Sequence, residues 1–175
     1  LPAIKFHPMS DSKKYIFQLL DELGYSGTKT EVRKEFENLF VVIKPQCSRF
    51  GENVFLNIGI CYKDLMETKT PKFDKSHMEM RFAQLLMALT QKLPVEGERD
   101  FHLLQYKEMF LKNYKNYILP FFKKLDNLEE MGNNFPKNMP TIPDEEDDSE
   151  TLVIYYFQHE ESLNKLFKKR PVTQG

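Results

Sequence analysis

Apolar and polar positions alternate most clearly in SRFGENVFLNIGICYKDL, residues 48–65. Val54, Leu56, Ile58 and Ile60 fall on every second position, the period of a strand with one buried face. Phe40 to Gln46, just before it, is a β-branched apolar run, and SRFGE between the two reads as a turn. With Phe50 and Gly51 at the centre of that turn, Cys47 stands opposite Val54 and Cys61 opposite Phe40. One face of the hairpin then collects Val41, Ile43, Pro45, Cys47, Val54, Leu56, Ile58 and Ile60, which is core. The register predicts Leu56 and Ile58 buried against the first helix.

The other face of the hairpin is mixed. Phe40, Val42, Lys44, Gln46 and Ser48 lie against Asn53, Phe55, Asn57, Gly59 and Cys61. It is polar near the turn and apolar farther along, with Gly59 leaving a gap opposite Val42. A glycine inside a strand often marks the close approach of another group. The plain reading is a sheet back, covered by a helix at its apolar end and by water at its polar end. The functional reading is a site.

Around the hairpin the pattern changes period. Ile16, Leu19, Leu20 and Leu23 form a helical stripe over residues 10–24, with Ser10 or Ser12 as cap and Gly24 as the left-handed stop before Tyr25. The polar half of TKTEVRKEFENLFVVIKPQ suits an edge strand. Residues 63–76 are a polar connection containing Pro71, and HMEMRF reads as a strand passing into a helix through Phe82, Leu85, Leu86, Leu89 and Leu93. From Asp100 an amphipathic helix runs through Leu104, Phe110, Leu111, Tyr114 and Ile118 until Pro120 breaks or kinks it. Phe121, Phe122, Leu125 and Leu128 carry a second segment to Gly132. Residues 133–150 are a Pro-rich, then acidic loop leading to a C-terminal helical segment. There TLVIYYF is strand-like by propensity, yet Leu152, Tyr156, His159, Leu163, Leu166 and Phe167 trace a helical stripe. Basic residues at its end favour a helix, broken near His159. The expectation is one α+β domain over residues 1–175, a small antiparallel sheet with its central hairpin at about 38–62, packed against several α-helices.

Bulk properties narrow the functions. The 175 residues, 41% hydrophobic and 29% charged, suffice for a core without staples. A net charge of -1 gives no global field to recruit nucleic acid or an acidic membrane. No apolar run approaches the roughly 20 residues of a membrane span. The chain starts at Leu1, without the basic and apolar regions of a signal peptide, so an artificial boundary or a processed end is expected there. Two cysteines in such a chain point to a reducing compartment, the cytoplasm. On the hairpin they fall on opposite faces, so neither a disulfide nor a shared metal follows, and both read as buried, inert thiols.

Motifs exclude more than they include. His7, His77, His102 and His159 have no metal spacing, and HME at 77–79 lacks the P-C-x-x-C half of a zinc deaminase. There is no phosphate-binding loop, dinucleotide fingerprint or nucleophile elbow. The acidic run at 144–150 lacks the spaced ligands of a calcium loop, and KLFKKR is short and offset by upstream acids.

The residues on the mixed face also carry a likeness. Gln46 and Ser48 on one strand, Asn57 and Gly59 on the next, His77 and Arg81 in an H-x-x-x-R segment, and the Leu119-Pro120-Phe121 break follow one another in order. Over roughly residues 10–131 the chain resembles a family of small, mainly bacterial domains of unknown function with these motifs. The aromatic pair expected after the arginine segment is missing, as the chain has no Trp. The resemblance implies an α+β fold and brings no activity with it.

The leading expectation is therefore a non-enzymatic binding or protein-interaction module. Its site is Lys44, Gln46, Ser48, Asn57, His77 and Arg81 on the polar-aromatic face, with no cofactor and no metal. The partner is a protein or a small polar ligand, with a homodimer as a further option. The first alternative is an enzyme on that face, with His77 as acid or base, Arg81 as anion clamp and Ser48 as nucleophile. A weaker one is single-stranded nucleic acid bound through Phe50, Phe55, Lys44 and Arg49.

Overall fold

The computed structural model describes residues 8–47, 54–92, 107–132, 135–143, 151–152 and 155–168. Helix α1 (Pro8–Glu22) buries Ile16, Leu19 and Leu20. It already runs from Pro8, so Ser10 and Ser12 lie within the helix and not at the position before it. The stop is as expected. Gly24 has φ +91°, its N–H reaches the Asp21 carbonyl, and the Tyr25 N–H reaches Leu20, the paired bonds that close a helix through a left-handed residue. Tyr25 folds back into the core, its hydroxyl 2.9 Å from that of Tyr114.

Strands β1 (Ser26–Gly27), β2 (Val32–Glu35), β3 (Leu39–Cys47), β4 (Val54–Tyr62), β5 (Met78–Arg81) and β8 (Tyr156–Phe157) form one antiparallel sheet in the order β1-β2-β3-β4-β5-β8. The fold is α+β. A separate pair, β6 (Ile142–Pro143) and β7 (Thr151–Leu152), joins the ends of the acidic run. The β3–β4 register pairs Cys47 with Val54, Ile43 with Ile58 and Phe40 with Cys61, as the alternation requires. Residues 48–53, with Ser48, Arg49, Phe50 and Asn53, lie outside the described residues.

The core face of the sheet is dry: Val41, Ile43, Leu56, Ile58 and Ile60 are at most 1% exposed. Helix α1 lies against β3, whereas β4, with Leu56 and Ile58, is covered chiefly by α2 (Phe82–Thr90). Strand β5 does pass directly into α2, at the Arg81–Phe82 junction. Leu93, Asp100, Leu104 and His102 lie outside the described residues, as do His7 and residues 144–150.

Pro120 does not break its helix. Helix α3 (Lys107–Asn113) continues through a π turn (Tyr114–Ile118) into α4 (Leu119–Asp126), where the Leu119 N–H bonds the Tyr114 carbonyl. In a regular α-helix the proline ring would meet the carbonyl of residue 116; the wider turn makes room for it. Tyr114, Ile118, Phe121, Phe122 and Leu125 all stay buried. Helix α5 (Leu128–Gly132) packs against α6 (Glu160–Lys168).

The C-terminal region corrects the helical reading of TLVIYYF. Residues 151–152 and 156–157 are strand, and the helix begins only at Glu160, after His159 turns the chain at φ +58°. The β-branched and aromatic run prefers a pleated surface, and β5 offers an edge to pair with. The dipole argument holds for α6 alone, with Glu160 and Glu161 in its first turn and Lys165 and Lys168 in its last.

Candidate functional site

The second face of the sheet is laid out in rows. Strand pairing places Lys44, Asn57 and Arg81 side by side on β3, β4 and β5. The next row is Arg33, Val42, Gly59, Glu79 and Tyr156, and Phe40 and Cys61 lie beyond it. Toward the turn lie Gln46 and Phe55. His77 continues β5 on the same side, since it precedes Glu79 by two.

The connection between β4 and β5 crosses this face as a bar. A 3-10 turn (Phe73–Lys75) and Ser76 lie directly over Gly59. A Cβ on Gly59 would sit 2.8 Å from that of Ser76 and 3.1 Å from the Phe73 ring. The gap is therefore filled by the chain itself. The cover at Gly59 is this bar, and Ser162 of α6 lines the space by Cys61 farther along. The Phe73 N–H bonds a Glu31 carboxylate oxygen at 2.9 Å and the Ser76 hydroxyl bonds the Phe73 carbonyl at 2.7 Å, which fixes the bar in place.

On one side of the bar is a cavity of about 320 Å³, lined by Cys61, Leu65, His77, Gln158, His159 and Ser162 among others. His77 is buried. Its Nδ1 accepts the Tyr62 N–H at 3.0 Å, which leaves the proton of the neutral ring on Nε2. Burial pushes its pKa down, and the charge of His159 adds to this; a hydrogen bond to the Leu65 carbonyl and the charge of Glu67 act the other way. Cys61 is buried beside it, its thiol donating to the Lys72 carbonyl at 3.7 Å and pushed up to about 12 chiefly by burial. Cys47 is free too, but only half-buried.

On the other side is an open cleft of about 630 Å³. Lys44, Gln46, Asn57 and Arg81 line it, with Phe73 and Glu79 at the bar, Gln84 from α2, and Tyr155 and Tyr156 along one flank. Four of the six expected site residues are thus together. His77 is not among them: on an extended strand it lies about 13 Å from Arg81, with the bar between. Ser48 is outside the described residues. The acid-base group and the anion clamp of the enzymatic alternative therefore face different cavities.

The two cations rest on rings. The Arg81 guanidinium carbon is 5.2 Å from the Phe55 ring centre, and Lys44 Nζ is 6.0 Å from that of Phe73. Among the described residues neither has a carboxylate within ion-pair distance. Glu79 is bonded by Gln158 Nε2 at 3.1 Å. Burial pushes its pKa up, Asp74 adds to this, and the hydrogen bond from Gln158 draws it back down. Asn57 Nδ2 donates to Gln46 Oε1 at 3.1 Å and to the Lys44 carbonyl at 3.3 Å. Tyr156 is 62% exposed. Among the described lining residues of the cleft there is no serine, cysteine or histidine, and no described group of His, Cys, Asp and Glu is arranged to hold a metal. The cleft can hold an anion, read an amide and stack a flat group.

A family model described as Domain of unknown function (DUF4304) matches residues 16–124. The chain belongs to that family. The DUF4304 span carries the floor of the cleft, including Lys44, Gln46, Asn57 and Arg81, and also His77; Tyr155 and Tyr156 lie beyond it. No curated protein and no solved structure matches the chain. Tyr155 and Tyr156 went unnoticed in the sequence as site residues because their run was assigned to a helix. The signal that would have found them is its β propensity. Among the described residues no helix is long and apolar enough to cross a membrane.

Proposed function

We propose that this protein is a non-enzymatic binding domain whose site is the cleft on the open half of the sheet's second face. One observation supports it above the rest. Lys44, Asn57 and Arg81 stand in a row across three strands, with both cations on aromatic rings and unpaired by any described carboxylate, beside the exposed Tyr156. The two cations, and the Asn57 side-chain oxygen between them, keep a capacity for a ligand that no described residue takes up. The partner is a protein or a small polar ligand, met in a reducing compartment such as the cytoplasm, to which the two free thiols are suited.

The test is Asn57→Ala. Asn57 is only half-buried, and its two hydrogen bonds face the cleft, so its loss should cost at most about 1 kcal/mol. The expected result is an unchanged melt together with lost capture of partners from the native cell. A mutant that melts early, or that melts normally and still captures everything the wild type does, sinks the reading.

A further inference from the structure

The amides of the cleft have a fixed orientation, and this restricts what they can recognise. The Lys44 carbonyl only accepts, so the Asn57 atom facing it is the amide nitrogen. The Gln46 atom that Asn57 Nδ2 also reaches must then be Oε1. Both hydrogens of Asn57 Nδ2 are used. What remains without a partner among the described residues is Asn57 Oδ1, an acceptor, beside Gln46 Nε2, a donor of two hydrogens. A neighbouring donor and acceptor is the complement of one residue of an extended chain, whose own N–H and C=O point to the same side.

This pair is flanked by charge. Lys44 and Arg81 stand two strand spacings apart, about 10 Å between backbones, with Asn57 between them. Roughly three residues of extended chain cover that distance. Arg81 presents a planar fork suited to a carboxylate, and Lys44 a compact charge. Glu79, the acid among the described lining residues, lies one row away at the bar, so the charges of the row itself are positive. Tyr156 offers an exposed ring alongside.

We infer that the cleft takes an extended acidic segment of a protein partner, its side-chain carboxylates on Arg81 and Lys44 and the N–H and C=O of one of its residues on the Gln46–Asn57 pair. This rests on the reading of the cleft as the binding site. Peptide chemistry accounts for the oriented amides and the cations at once.

Panning a library of short random peptides against the wild type and against K44E/R81E tests it, with melts of both to establish folding. Both side chains are exposed, so the variant should fold. The wild type should retain sequences enriched in Asp and Glu. The variant should lose them by roughly tenfold or more, the scale of a charge-assisted hydrogen bond, and enrich Lys and Arg in their place. A variant that melts early is replaced by R81Q, for which the same loss is expected. Retention without acidic enrichment overturns the inference, as does preferential retention of single-stranded oligonucleotides in a parallel selection. If such retention is still abolished by N57A, the cleft remains the site and only the ligand class falls. If neither K44E/R81E nor N57A changes retention, the binding site itself is misplaced.

Discussion

His77 and Arg81 sit four residues apart, just before and at the end of one strand and on one face, and they have opposite fates. His77 is 6% exposed and holds the Tyr62 N–H; Arg81 is exposed and lies over Phe55. The difference comes from what crosses the sheet between them. At Gly59 the face is shallow enough for Ser76 and Phe73 to lie on it, and His77 and Cys61 beyond them become interior. On the Arg81 side the same face stays open. Shared face and shared strand are thus a weak guide to shared function, because cover decides.

The largest effect should come from beneath both halves. Leu56→Ala removes a side chain that is 1% exposed on the core face and should cost about 2–5 kcal/mol in chemical denaturation. A mutant as stable as the wild type would mean that the register is wrong, and the comparison with it. Gly59→Ala should cost about 1–3 kcal/mol, since its Cβ cannot coexist with Ser76 and Phe73 where they stand. If instead the variant is neutral, the bar is not seated on the sheet.

His77→Ala should cost roughly 1–3 kcal/mol by stranding the Tyr62 N–H, and should leave partner capture intact. Capture lost at an unchanged melt would return His77 to the site. The pH dependence follows from the same site. Burial disfavours the charged ring, and Nδ1 already accepts, so the folded state favours the neutral ring and its pKa lies below the ordinary 6.5. Between those two values the unfolded chain binds more protons, so stability falls as pH drops through that window and is fully present above it. His77→Gln should flatten this part of the stability profile, and an unaltered slope counts against the assignment. The smallest effect belongs to Arg81→Gln, an exposed position, which should shift stability by no more than about 0.5 kcal/mol. A larger loss would show Arg81 to be structural and remove the contrast with His77.

The hairpin was legible because its two faces differ at every step, so a slip of one residue would have turned Ile58 outward. The row of Lys44, Asn57 and Arg81 followed from that register once β5 was recognised as a strand. Three things were not legible. Pro120 carries its constraint in its own ring, but the relief came from five residues before it, as a π turn that no side-chain pattern announces. TLVIYYF satisfied two periods at once, and the choice depended on an available edge of β5. Gly59 announced a close approach without saying whose, and the answer lay with Phe73 and Ser76, more than a dozen positions away.

The bar over Gly59 also bears on how such a chain can change over generations. Residues on its two sides share few neighbours, and effects of substitutions without shared partners tend to add. Exchanges at Lys44, Gln46 or Arg81 can therefore be tried one at a time, without waiting for compensation at His77 or Tyr62. A single short crossing of the chain separates the half of the surface whose exposed residues can change one by one from the half that holds the buried His77.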